Sequence, residues 1–216
     1  MKVHDFTSKK TVLQRFIAQL RDQEIQKDSL RFRINIERIG HILAYEMSQQ
    51  LSYITHTVKT PLGIKEMFLP KENIVIAAIL RAGLPLQQGV VSCFDNAEQA
   101  FISAYRNHPD ADTLEIVVKY LAAPSLEGKT LILCDPMLAT GHTLENVYLA
   151  LKDHGTPESI HIISVIGSHE GVKYIQDIFP EKTHLWIAAI DEDLNDEKYI
   201  LPGLGDAGDL SYGMKL

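Results

Sequence analysis

The chain has 216 residues, 45% of them hydrophobic and 23% charged, with 21 Lys and Arg against 28 Asp and Glu for a formal net charge of −7. Those proportions exclude a disordered tail protein, and the lack of clustered positive charge argues against a nucleic-acid partner while leaving room for a small anionic substrate held by a few donors. At this length about 70% of the unfolded surface can be buried, so no disulfide or metal staple is needed. Cys93 and Cys134 lie in apolar surroundings with no CxxC and no Cys/His ladder, and read as reduced, packed side chains. The start, MKVHDFTSKKTVLQRF, lacks an apolar signal region, and the longest apolar run, residues 74–80, falls far short of the ~20 residues that span a bilayer. The expectation is a soluble cytoplasmic chain forming one folding unit.

In chain order, Val12, Phe16, Ile17 and Leu20 form an apolar stripe at helical spacing, and Ile34, Ile39, Ile42 and Leu43 predict a longer second helix. A β-rich stretch follows at residues 53–58 and 64–69, broken by a Thr-Pro turn. From residue 74 the pattern changes. Short apolar strands at 74–79, 99–104, 130–134, 160–166 and 185–190 alternate with helical stretches near 84–94, 143–154 and 169–179. Strands apolar on both faces and separated by helices predict an α/β fold with an open, doubly wound, mainly parallel sheet. Ligands bind at the carboxyl ends of such strands, which directs attention to the loops after residues 80, 105, 134 and 190.

Three of these loops carry chemistry. In residues 130–155 a buried strand ends at Asp135, and the turn Ala139-Thr140-Gly141-His142-Thr143 opens an amphipathic helix. Small and hydroxyl residues there let backbone amides converge on an anion at the positive helix end, with Thr140 and Thr143 as added donors and Thr143 as an N-cap. The lysine of a Walker loop is absent. A phosphate loop and a capped βα turn with a solvated Asp both fit these residues. In residues 77–86 a strand runs into Arg81-Ala82-Gly83 and a helix opens with Leu84-Pro85. Arg81 is the sole charge between Ile74 and Asp95, suited either to an exposed turn or to bidentate phosphate contacts. In residues 199–213, Pro202 with Gly203, Gly205, Gly208 and Gly213 rule out regular helix, leaving a flexible tail or a backbone-lined slot for a planar base.

Together these motifs resemble the uracil phosphoribosyltransferases, within the type I phosphoribosyltransferases. CDPMLATG, with Pro136 where most of the wider family has a second acid, is similar to their 5-phosphoribosyl 1-diphosphate (PRPP) signature. Leu-Arg-Ala-Gly at 80–83 resembles their diphosphate loop, where a non-proline cis peptide near Arg81 is expected, and YILPGLGDAGDLSYG resembles their uracil segment. Tyr105-Arg106-Asn107 matches a further motif whose Arg contacts the diphosphate and precedes a mobile flap, and residues 29–46 resemble the N-terminal arm. The resemblance runs from about residue 27 to the end.

It implies N-terminal helices and a β arm over 1–70, a core with the PRPP site over 71–190, and a hood for uracil over 191–216. Arg81, Arg106, Asp135 and Asp206 are the implied catalytic residues. PRPP would be bound by Arg81, Ala82, Gly83, Arg106, Asp135, Pro136, Met137, Leu138, Ala139, Thr140, Gly141, His142, Thr143 and Asp206. Uracil would lie against Ile200, Gly205, Asp206 and Ala207. No protein metal site is implied, Mg²⁺ being bound mainly through PRPP. The implied reaction converts uracil and PRPP to UMP and diphosphate in pyrimidine salvage, in a homodimer or higher homo-oligomer, with activation by GTP an open question. The alternative is a catalytically weak or silent PRPP- or UMP-binding protein, or an RNA regulator of the same fold.

Two departures stand out. The loop reads Thr-Gly-His-Thr where the family has Thr-Gly-Gly-Ser, so His142 gives up easy positive φ and adds bulk beside the phosphate. His108-Pro109 replaces an acidic pair after Arg106-Asn107. The remaining histidines, His41, His56, His154, His161, His169 and His184, lack metal-ligand spacing and read as surface or packed side chains. The acidic run Asp191-Glu192-Asp193 with Asp196 and Glu197 reads as a solvated loop, with an indirect magnesium or conformational role kept open.

Overall fold

The computed structural model describes residues 1–71, 73–110 and 113–215, and excludes the side chains of residues 105–117. The chain opens on a short strand β1 (Lys2–Asp5) and two helices, α1 (Leu13–Arg21) and α2 (Ser29–Ser48), then a hairpin of β2 (Tyr53–Thr60) and β3 (Gly63–Pro70). The strand β4 (Ile74–Leu80) leads into α3 (Gly83–Val91), followed by β5 (Glu98–Asp110) and β6 (Thr113–Ala122). Next come β7 (Thr130–Cys134), β8 (Met137–Leu138), α4 (His142–Leu151), β9 (Ser159–Ser168), α5 (His169–Ile178) and β10 (His184–Asp191). Two short strands, β11 (Asp193–Leu194) and β12 (Ile200–Leu201), and a last helix α6 (Ala207–Tyr212) complete the chain.

The main sheet runs β1-β10-β9-β7-β4-β5-β6, with β8 also beside β9. All its pairs are parallel except β5–β6. Successive side chains of a strand point to opposite faces, so strands apolar throughout need cover on both sides. Ile74 and Ile76 of β4, with Ile132 of β7 and Ile163 of β9, face a layer built from Leu13, Ile17 and Leu20 of α1, Phe32, Ile36 and Leu43 of α2, and Leu86 of α3. Val75 and Ala77, with Leu131, Leu133 and Ile162, face Leu144 and Val147 of α4 and Ile175 of α5. The expected doubly wound, mainly parallel α/β architecture is therefore present, with helices on both faces.

Three expectations need correction. Residues 2–5 form an edge strand parallel to β10, pairing Lys2 with His184 and Asp5 with Ile187, where the sequence suggested no element. The strand foreseen at 99–104 continues to Asp110 and returns antiparallel as β6. A helix does form in the glycine-rich segment. The Asp206 side chain caps α6 by accepting from the Asp209 N–H at 2.9 Å. Such a cap contributes about 1 kcal/mol, comparable to the cost of placing Gly208 inside a helix.

Candidate active site

β4, β7 and β9 all deliver their carboxyl ends to one region. After β4 the Leu80–Arg81 peptide is cis, as the sequence led us to expect, Ala82 is buried, and Gly83 begins α3. A Cβ on Gly83 would stand 2.7 Å from the Cys134 carbonyl oxygen. The 81–83 loop and the end of β7 thus approach at a distance that only glycine permits. Cys134 is fully buried, and burial pushes its thiol well above the usual range, so it packs rather than reacts.

Asp135 follows directly. The residue is 7% exposed, and its carboxyl accepts a hydrogen bond from the Met137 N–H at 3.2 Å. Burial raises its pKa to about 7, partly offset by that hydrogen bond. The Pro136 carbonyl accepts from Val165 and Ile166 of β9 at 3.2 and 3.0 Å, so residues 135–138 are stitched to the next strand. Leu138, Ala139 and Thr140 are buried, and Ser168 donates to the Ala139 carbonyl at 2.6 Å while capping α5 through the Gly171 N–H. Positive φ falls on Gly141, at 86°, which is the N-cap of α4. Thr143 therefore lies inside the first turn rather than capping it. His142 is the first helical residue, so its substitution for glycine costs nothing in backbone conformation. Its ring packs edge-on to Tyr174 of α5 at 4.5 Å, and Tyr174 donates to Glu145 at 2.6 Å. That hydrogen bond is the main cause of the Tyr174 pKa rising to about 12.

The C-terminal segment closes over these loops. Ile200 is buried on β12, the Leu201–Pro202 peptide is cis, and Gly203 and Gly205 take φ of 61° and 89°. Asp191 is buried rather than solvated. It forms a two-pronged ion pair with Arg21 of α1, both contacts at 2.7 Å, and accepts from the Gly203 N–H at 3.0 Å. Arg21 also donates to the Gly203 carbonyl at 2.8 Å, and Gln26 donates to that of Leu204 at 3.2 Å. The Gly203 N–H and carbonyl and the Leu204 carbonyl are thus occupied. The Ala207 N–H points at the Met137 sulfur, 3.4 Å away, a weak acceptor that a better one would displace.

Arg81 reaches across to α6, where Nη2 meets Asp209 Oδ1 at 2.5 Å and Nη1 donates to the Gly213 carbonyl at 3.0 Å. Asp206 sits beside it, with the Lys215 ammonium 3.6 Å from its Oδ2. Arg81, Asp135, Met137 and Asp206 therefore share one region. The Arg106 side chain lies outside the described residues; its backbone pairs with Ile116 on β6. Sequence reasoning missed Arg21, Asp209, Ser168 and Tyr174, whose only signal was polarity and whose partners are remote in the chain. Among the described residues no group of three or more His, Cys, Asp or Glu side chains is arranged to hold a metal ion. His161 and His184, read as packed, do pack, joined by His4: Trp186 donates to His161 at 3.1 Å, and His4 stacks on Trp186 at 3.6 Å between ring centres.

The mainly parallel sheet with helices on both faces is the phosphoribosyltransferase fold, and hypoxanthine phosphoribosyltransferase from Staphylococcus aureus shares it at a TM-score of 0.51 and 16% identity over 74% of each chain. The AQ2163 protein of Aquifex aeolicus superposes with a TM-score of 0.87 at 31% identity, over 99% of this chain and 100% of that one. The uracil phosphoribosyltransferase family model matches residues 7–214. Uracil phosphoribosyltransferase of Porphyromonas gingivalis is 48% identical over 216 residues, all of both chains. That of Pyrococcus furiosus is 37% identical over 91% of this chain and 84% of its own. The chain belongs to the uracil phosphoribosyltransferase family.

Proposed function

We infer that this protein transfers the 5-phosphoribosyl group of PRPP to uracil, giving UMP and diphosphate. The observation that carries this reading is the meeting of three loops at the carboxyl ends of the central strands: 81–83, 135–143 and 203–213, linked by the Gly83–Cys134 approach and the Ala207–Met137 and Arg81–Asp209 contacts. The turn at 139–143, at the amino end of α4, takes the 5-phosphate, and Ala82 and Gly83 offer backbone N–H groups to the diphosphate beside Arg81. Arg106 adds a second guanidinium from β5. Asp135 orients the ribose hydroxyls. Fixing both ends of PRPP positions the anomeric carbon, and cations already in place meet the negative charge developing on the leaving diphosphate in an oxocarbenium-like transition state.

The donor set fits a metal carried by the substrate. Asp135 is followed by Pro136 rather than a second acid, so the chain offers Asp135, with Asp206 nearby, and the phosphate oxygens supply the rest. When bound, Mg²⁺ neutralises charge on the diphosphate. Uracil lies against Ile200 and Gly205 to Ala207. A uracil carbonyl replaces the Met137 sulfur at the Ala207 N–H, and a backbone acceptor meeting N3–H rejects cytosine, which would leave buried groups unpaired.

The reading extends to a homodimer. Among the described residues the β2–β3 hairpin pairs only within itself in the main-chain ladders, and it exposes Ile54, Ile64, Met67 and Phe68 at 45–76%. An isolated hairpin is marginal in water, and a second copy supplies its missing cover. The cytoplasm, where a salvage enzyme meets its substrates, is the compartment this reading implies. Turnover tests it: purified protein with PRPP and Mg²⁺ is offered uracil, cytosine, hypoxanthine or orotate, with and without GTP. UMP from uracil alone is expected, and no product with any base contradicts the reading.

A further inference from the structure

Arg81 is committed before any substrate arrives. Its guanidinium, from the end of β4, is held by a carboxylate 128 residues later in the chain, at 2.5 Å, and by the Gly213 carbonyl at 3.0 Å. It lies close against α6: a Cβ on Gly208 would come within 3.3 Å of Nη2, 3.5 Å of Nε and 3.1 Å of Asp206 Oδ1. Gly208 therefore makes the seat, and Asp209 supplies the anion. Both side chains are about one-third exposed, at 35% and 30%, so a solute reaches the pair. The helix that carries Asp209 begins at Ala207, whose N–H faces Met137 in the base slot.

We propose that Asp209 is an internal stand-in for the diphosphate, holding Arg81 in the free protein and releasing it when PRPP binds, so that occupancy of one substrate site is communicated to the other through this ion pair. The proposal rests on the reading of residues 81–83 as the diphosphate site. A diphosphate there offers several anionic oxygens against the single one that Asp209 Oδ1 provides to Nη2, and Arg prefers a bidentate anion. Once Arg81 changes partner, α6 loses its tether to β4, and the segment 205–207 is free to close on uracil. Coupling of this kind is reciprocal: whatever factor diphosphate adds to uracil affinity, uracil adds to diphosphate affinity. Asp209 is a positioning residue, acting only through Arg81.

The test is calorimetric titration of the full chain with inorganic diphosphate and Mg²⁺, and with uracil in the presence and absence of saturating diphosphate. For Asp209→Asn, which keeps the shape and the helix N–H pattern, diphosphate affinity is expected to rise about five-fold, the worth of one partly exposed ion pair. The dependence of uracil affinity on diphosphate is expected to vanish. In an Arg81→Gln background the same substitution should change neither quantity. Unaltered binding of ribose 5-phosphate, which engages the 139–143 turn, reports an intact site; Asp209→Ser takes the place of the Asn variant if that fails. Weaker diphosphate binding by the variant, or an undiminished link between the two ligands, overturns the latch while leaving the functional reading in place. Failure of the unsubstituted protein to bind diphosphate at all overturns both.

Discussion

The histidine cluster at the amino ends of the central sheet and Asp135 at its carboxyl ends are treated in opposite ways. At the amino ends, His4, His161, His184 and Trp186 satisfy one another: His4 Nε2 and His184 Nδ1 lie 3.0 Å apart, and the indole donates to His161. Burial, with mutual repulsion and the nearby Lys2, lowers all three imidazoles, His4 and His161 to about 4, so the cluster is neutral near pH 7. At the carboxyl ends Asp135 is buried, as His161 is, yet the bond it accepts comes from a backbone amide two residues on, and its pKa goes up to about 7. Self-satisfied groups hold a fold together; a buried carboxyl with one donor is poised for a partner that comes from outside.

Breaking the carboxyl end should have the largest effect. Asp135→Asn should lower turnover at least 100-fold without lowering thermal stability at pH 8. The folded pKa lies above the unfolded one, so the stability associated with this group is present at low pH and lost as pH rises through about 7. Ribose hydroxyls donate to the ionised carboxylate, so PRPP affinity should improve as pH rises through about 7 in the native protein and lose that dependence in the variant. Gly83→Ala comes next. A Cβ 2.7 Å from a backbone carbonyl must push the two loops apart, and a displacement of that order costs about 10²-fold in activity, measured as kcat/KM for PRPP, with a smaller loss in Tm.

The amino end should respond to pH in the reverse sense and without touching catalysis. Depressed imidazole pKa values mean that stability is complete above about 6.5 and lost as pH falls toward 4. His4→Phe keeps the stack on Trp186 and removes one proton-binding site, so the decline of Tm between pH 6.5 and 4 should become shallower while kcat near pH 7 is unchanged. The smallest effect is expected for His142→Gly. Its backbone is already helical, so a change in KM for PRPP of a few-fold, rather than loss of activity, should follow.

The same contrast explains what could be read from the chain. The central strands were legible because they are continuous apolar runs, and the three loops because their glycines, hydroxyls and lone charges interrupt those runs. β1 was not, since KVHD carries no strand pattern of its own and is defined by the neighbour it pairs with, Lys2 against His184 far along the chain. α6 was hidden because Gly208 counts against a helix unless the Asp206 cap and the Arg81 contact are known. Asp191 read as part of a solvated acidic run because nothing local reveals Arg21, 170 positions earlier. Charges closed by distant partners are invisible to local pattern, and the carboxyl end of the sheet is where they collect.

Hydrogen exchange of the full chain with and without PRPP and Mg²⁺ tests the account most directly. Protection is expected at residues 81–83 and 135–143, with the amides around His4, His161 and His184 unchanged. Protection centred on the amino ends of the strands, or none at 139–143, would contradict it.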